Sequence, residues 1–238
     1  MATFVLVHGA WHGGWCWAPL EKALRDLGHH TFAPTLTGLG ERQHLATPQV
    51  TPDTHVLDII SHIQWQGLDD IILVGHSYGG MIITGVAGRM PERIRTMVYL
   101  DAIVPEQSGV SSIARRNPER TAAFRERLKK GEFMVDPDRF DSWTDDPRQM
   151  AWLREKCTPH PIRCLTEGVT LTGREAEVTS RHYILATRNK PSLFWEEYDR
   201  VKGRAGWQMH EMQTKHDVMV EAPEGLAARL DIIADAIS

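Results

Sequence analysis

The sequence predicts an α/β protein: a mainly parallel, doubly wound sheet with a helical cap inserted between two of its strands. Three observations predict it. Short apolar runs recur at Phe4–Val7, Ile71–Val74, Met97–Leu100 and Tyr183–Ala186. They are continuous rather than alternating, as strands covered on both faces require. Between them lie stretches with apolar residues at helical spacing, and that alternation is the pattern of a parallel sheet with crossover helices. From about Glu106 to Ser180 the alternation stops and no strong strand appears.

In order along the chain, Phe4–Val7 reads as the first strand. Trp17, Leu20, Leu24 and Leu27 then fall on one helical face. His30–Ala33 is a weaker strand candidate. Val56, Ile59, Ile60 and Ile63 mark the next helix, ahead of the strand Ile71–Val74. Met81, Ile82, Val86 and Met90 follow on one face, and Met97–Leu100 is the next strand. The stretch 106–180 holds helical patches at Ala114–Lys130 and Pro147–Lys156, with Phe124, Phe133, Phe140, Trp143 and Trp152 among them. An excursion of this length is too long for a bare loop. It is expected to be a helical cap, leaving 1–105 and 181–238 as the core. Tyr183–Ala186 resumes the sheet and Gln208–Met212 is a weak last strand. Pro223 suits a first helical turn, and Leu226, Leu230, Ile233 and Ile237 form its stripe. In such a sheet, ligands bind beyond the C-terminal ends of the strands.

The bulk properties exclude several classes. The 238 residues suffice for one domain with a full core. Net charge is −4 and the pI about 6.3, against a nucleic-acid partner, which needs a basic surface. No apolar run approaches the ~18 residues of a membrane span. The start "MATFVLVHGAW" has no basic region ahead of its apolar run and reads as a strand, not a signal peptide. Three cysteines, an odd number at no metal-like spacing, imply reduced thiols and a cytoplasmic location.

The chemistry centres on "GHSYG" (Gly75–Gly79), a match to the G-x-S-x-G nucleophile elbow. It follows an apolar strand and opens a helical pattern, which is the context that motif needs. "LVHGAW" (Leu6–Trp11) follows the first strand. Its His-Gly resembles the loop that donates an oxyanion-hole N–H in lipases and esterases, with Ala10 N–H as one donor and Tyr78 N–H as the other. Read alone, the loop could equally be a tight strand-to-helix turn. His216, in "TKHDVMVEAPEGLA" (Thr214–Ala227), stands between a strand and the last helix. His8 and His12 lie on a loop without a carboxylate pair, so no metal and no cofactor is expected.

"FVLVHGAWHGGWCW", "LTGLGER", "GHSYGG" and "HDVMVEAPE" together resemble the α/β-hydrolase superfamily and, within it, the plant methylesterase and hydroxynitrile lyase group and its bacterial esterase relatives. The resemblance covers the start, middle and end of the chain but not the cap. It implies Ser77 as nucleophile and His216 as base. The plant lyases carry a threonine after the first motif histidine and a lysine after the base. This chain has Gly9 and Asp217 there, which favours ester hydrolysis over cyanohydrin cleavage.

The acid departs from the resemblance. The plant methylesterases place it after the strand matching Tyr183–Ala186, where this chain reads "YILATRNKP" with Asn189. A neutral amide carries no charge to stabilise imidazolium. Some lipases and haloalkane dehalogenases resemble another arrangement, with the acid after the strand that follows the nucleophile. Here that strand ends in "VYLDAIVP", and Asp101 stands at its tip. Asp101 is the expected acid, with turn formation as its other reading. Glu196, Glu197 and Asp199 remain as poorer candidates.

Trp11, Trp143 and Trp152 are candidates to line an acyl or aryl pocket, though spacing cannot separate this from a place in the core. "TLTGLGER" is expected at the site rim. The basic run Ala114–Lys130 reads as a solvated helix face, with steering of anionic substrates as a lesser reading. The whole describes a cofactor-independent serine hydrolase of a small carboxylic ester. Its rivals are a hydroxynitrile-lyase-like enzyme, an enzyme cleaving amides, lactones or carbon–carbon bonds, and a ligand receptor on the same scaffold.

Overall fold

The structure, a computed structural model, describes residues 1–138 and 140–236. Strand β1 (Thr3–Val7) leads through α1 (Ala18–Asp26) to β2 (His30–Phe32). Helix α2 (Pro52–Trp65) precedes β3 (Ile71–His76), and α3 (Gly79–Ala87) precedes β4 (Ile94–Leu100). The insertion follows: α4 (Ser112–Arg116), α5 (Pro118–Lys129), β5 (Met134–Val135), α6 (Phe140–Trp143), α7 (Pro147–Lys156), β6 (His160–Pro161) and α8 (Ile162–Thr166). The chain returns through β7 (Arg181–Ala186), α9 (Leu193–Val201), β8 (Trp207–Met212), α10 (Val218–Glu221) and α11 (Pro223–Asp235).

The main sheet runs β2-β1-β3-β4-β7-β8, with each neighbouring pair parallel. The chain moves outward from β1 to β2, then crosses back to lay β3 on the other side of β1. That reversal opens a crevice beyond the C-terminal ends of β1 and β3, where an open α/β sheet binds ligand. The segments after these two strands are the "HGAW" loop and the "HSYG" turn.

Continuous apolar strands serve two cores. Val5, Val7, Leu73, Met97, Tyr99, Tyr183 and Leu185 face one side, packed on α2, α3 and α9. Phe4, Leu6, Ile72, Val74, Val98, Leu100, Ile184 and Ala186 face the other, packed on α1 and α11. Successive side chains alternate between faces, so a strand covered on both must be apolar throughout.

Strong and weak strand candidates alike are strands. Leu27 departs from its expected stripe: it caps the end of α1 and is 48% exposed. Ile237 lies outside the described residues. Within 106–180 the helical patches form, but the segment also contains a strand pair, β5 antiparallel to β6. Two-residue strands have no periodicity to read. The insertion is tied to the first loop: Trp11 Nε1 donates to Val135 O at 3.0 Å, and Thr158 N donates to Trp11 O at 2.9 Å. It is also tied to α9, where Arg116 pairs with Glu196 and with buried Glu197. Among the described residues no helix is long and apolar enough to cross a membrane.

Candidate active site

Ser77 sits between β3 and α3 at φ +55°. A side chain in the left-handed region is strained, and such strain collects at functional turns. The flanking glycines are required by contact, not by φ. A Cβ on Gly75 would lie 2.6 Å from Gly79 O, and one on Gly79 would lie 2.5 Å from Val7 O. The turn is therefore tight enough to press against β1, and it leaves Ser77 half-buried at the tip, facing the crevice.

His216 comes to the same place from the loop after β8. Its Nδ1 lies 2.6 Å from Asp101 Oδ2. Asp101 is fully buried at the end of β4, at φ +41°. Its Oδ1 accepts from Ala186 N at 3.2 Å, and its Oδ2 also accepts from Asn189 Nδ2 at 2.7 Å. A carboxylate with these donors is held in one orientation. Asn189 lies 3.3 Å from His216 Nδ1; with that nitrogen's hydrogen given to Asp101, the amide acts as a clamp on the carboxylate. Glu196 and Glu197 are engaged with arginines instead. The base loop is held by the insertion: His216 N donates to Ser142 O and Asp217 N to Trp143 O. Phe194 stacks on the His216 ring at 4.6 Å and 14°.

The first loop is set by histidines. His8 Nδ1 donates to Gly9 O at 2.8 Å, and its Nε2 accepts from Leu36 N at 3.1 Å. In a trans peptide the C=O and N–H point opposite ways, so holding the Gly9 carbonyl on one side turns the Ala10 N–H to the other. His160 Nδ1 accepts from Trp11 N at 3.2 Å, and Trp11 is at φ +66°. Gly9 is required here, since a Cβ would lie 2.9 Å from Ser77 Cβ. Burial pushes His8 down to about 3 and His55 down to about 4. His55 Nε2 donates to Thr37 O at 2.8 Å, and its Nδ1 accepts from Tyr78 OH at 2.9 Å. "TLTGLGER", expected at the rim, lies behind this loop, with Leu36 and Leu39 fully buried.

Ser77, His216, Ala10 and Tyr78 line one cavity of ≈ 170 Å³. Its walls are largely apolar: Trp11, Ile103, Ile113, Trp143, Leu165 and Phe194, with Arg120 as a cation. Trp11 and Trp143 thus stand where a pocket role needs them. Trp152 does not: it meets Trp15 edge-on at 4.9 Å and packs against the core that α1 and α11 cover, outside the pocket lining. Its helical spacing on α7 could not tell the two apart. Phe194 carries no motif and was not singled out by the sequence; Arg120 belongs to the basic run Ala114–Lys130, whose lesser reading was steering of anionic substrates. Of the described residues, His76, His216 and Asp217 approach metal-ligand spacing. Each has one atom engaged, His76 Nε2 with His216 O, His216 Nδ1 with Asp101, and Asp217 Oδ2 with His12, while His76 Nδ1 and Asp217 Oδ1 are buried without a hydrogen-bond partner among the described residues.

The chain matches the alpha/beta hydrolase family over residues 4–229. It is an α/β hydrolase. This hydrolase is 42% identical to a carbendazim hydrolyzing esterase of Nocardioides sp. (strain SG-4G), a match covering 97% of this chain and 98% of that one. It is 35% identical to salicylic acid-binding protein 2 of Nicotiana tabacum over 50% of this chain and 47% of that protein, so this match spans about half of the plant relative. The solved structure of an extracellular alpha/beta-hydrolase from a Paenibacillus species superposes with a TM-score of 0.82 at 25% identity, covering 97% of this chain and 98% of the other. With an esterase matched nearly end to end, the hydrolase is a carboxylic ester hydrolase, as the motifs led one to expect.

Proposed function

We propose that the hydrolase cleaves a small ester through an acyl-enzyme on Ser77. The observation that carries this reading is the 2.6 Å contact of His216 Nδ1 with buried Asp101, on a pocket that Ser77 shares. Ser77 Oγ attacks the ester carbonyl and His216 Nε2 takes its proton. Asp101 accepts from Nδ1–H and stabilises the imidazolium. The oxyanion meets the Ala10 and Tyr78 N–H groups, neither of which has a protein acceptor among the described residues. His216 returns the proton to the leaving alcohol, and water, activated by the same base, releases the acid.

The pocket is small, a cavity of ≈ 170 Å³. With aromatic walls, that suits a compact, planar or aromatic ester. Lyase chemistry is disfavoured because Asp217 is buried against His12 and puts no cation at the pocket. The three cysteines are free, in keeping with cytoplasmic residence. A fluorophosphonate probe should label Ser77 alone, and Ser77→Ala should remove labelling and lower turnover by about 10³ to 10⁶. Turnover surviving Ser77→Ala would refute the reading. p-Nitrophenyl esters of increasing acyl length, aromatic methyl esters and carbendazim form the substrate screen. Mandelonitrile should not be cleaved above background.

A further inference from the structure

Two loops meet behind the pocket, and one side chain spans them. His12 Nδ1 lies 2.7 Å from Ala10 O, and its Nε2 lies 3.1 Å from Asp217 Oδ2. A carbonyl oxygen only accepts, so Nδ1 carries a hydrogen. With Asp217 ionised, its carboxylate only accepts, and Nε2 then carries one as well. An imidazole that donates from both nitrogens is a cation. Its surroundings suit a cation. The ring lies 5.6 Å from Trp15 at 22° and 4.9 Å from Trp143, and aromatic faces attract positive charge.

We propose that Asp217 holds His12 as an imidazolium, and that this pair locks the loop offering the Ala10 N–H to the loop carrying His216. The inference rests on the reading above and deepens it. Both partners are buried. Burial opposes the charge on His12, but the Asp217 carboxylate and the bonds to Asp217 and Ala10 raise its pKa above the usual histidine value. His216 also faces Asp217, with its Nδ1 turned to Asp101, and burial disfavours charge on the other groups around the pair. Burial pushes His8 down to about 3 and His76 and His160 well down, and it pushes the Cys16 and Cys157 thiols up. The pair is thus each partner's counter-charge. Charge-assisted hydrogen bonds are roughly twice as strong as neutral ones. Ala10 is therefore pinned on both sides, the preceding carbonyl by His8 and its own by His12. Asp217 follows His216 in the chain and its N–H reaches Trp143 O, so base, oxyanion donor and pocket wall move as one unit. Neither His12 nor Asp217 lines the pocket; both are positioning residues.

The test is ¹⁵N NMR of histidine-labelled enzyme at pH 8, with Asp217→Asn beside it. One histidine of the natural enzyme should have both ring nitrogens protonated. In Asp217→Asn the amide can donate to Nε2, so the same histidine should become neutral with its geometry kept. Turnover should fall about 10-fold with KM within about threefold, less than the 10² to 10³ of losing a whole oxyanion donor. Affinity for an aryl boronic acid, which forms a tetrahedral adduct on the serine, should fall by the same factor as kcat/KM. Absence of an imidazolium in the natural enzyme overturns the proposal even if the variant misfolds, because the proton then sits on Asp217. An unchanged spectrum in Asp217→Asn overturns it too, as does full turnover with an altered spectrum. Fluorophosphonate labelling of both proteins separates this from failure of the serine mechanism, which the spectrum does not require.

Discussion

Asn189 stands where the resemblance led one to expect the acid, and its amide donates to the carboxylate that reaches His216 from β4. The two side chains approach the same ring nitrogen, at 2.6 Å for Asp101 and 3.3 Å for Asn189. Asp101→Asn should leave the fold intact and lower turnover by about 10² to 10⁴. Adding Asn189→Asp should recover part of that loss, since it supplies a carboxylate within reach of Nδ1. Steady-state kinetics on the two variants decides it: full activity in Asp101→Asn would remove Asp101 from the mechanism. Ser77 and His216 could be read from local motifs because each sits in a turn whose neighbours the motif includes. That Asp101 stands beside His216 could be expected only because Asn189 left the usual place without a charge. The Asn189–Asp101 bond itself joins residues 88 apart, and no local pattern encodes it.

Helix α2 shows how an element away from the chemistry sets the site. Thr51 accepts from Thr54 N, and the Thr54 hydroxyl accepts from Thr51 N, a reciprocal cap on a helix whose first residue is Pro52. One turn on, His55 reaches the Tyr78 hydroxyl. Thr51→Ala should cost about 1 kcal/mol, a fall in Tm of roughly 2–4 °C for a chain of this size. Activity at 25 °C should hardly change, because the helix stays folded. A melting curve that superposes on that of the natural enzyme would show that the cap contributes nothing. The apolar face of α2 was legible as Val56, Ile59, Ile60 and Ile63; its polar duty was not, since a buried histidine on an apolar stripe reads as core. The insertion was legible as helices for the same reason that β5 and β6 were not: a helix repeats its pattern over several turns, whereas a strand of two residues repeats nothing.

At the scale of the whole molecule, the histidines that shape the first loop couple stability to pH. His8 is pushed down to about 3 and His55 to about 4, with burial the main cause, and burial also pushes His76 and His160 well down. The unfolded chain takes up these protons as pH falls through about 6.5, while the native state refuses them until far lower. The unfolded state therefore binds more protons between about pH 6.5 and 4, and stability must fall as pH falls through that window. Each such histidine contributes a slope approaching about 1.4 kcal/mol per pH unit. His12 works the other way. Its raised pKa means that the native state holds the extra proton above about pH 6.5, and that contribution is lost as pH rises through the folded value. Stability should peak near neutrality. Guanidinium unfolding at intervals from pH 8 to pH 4 should show a steep loss beginning below 6.5, ahead of the range in which carboxylates titrate. A curve that stays flat down to pH 5 would mean that these rings are protonated in the native state. The bonds that His8 Nε2 accepts from Leu36 N and His160 Nδ1 accepts from Trp11 N would then need different acceptors.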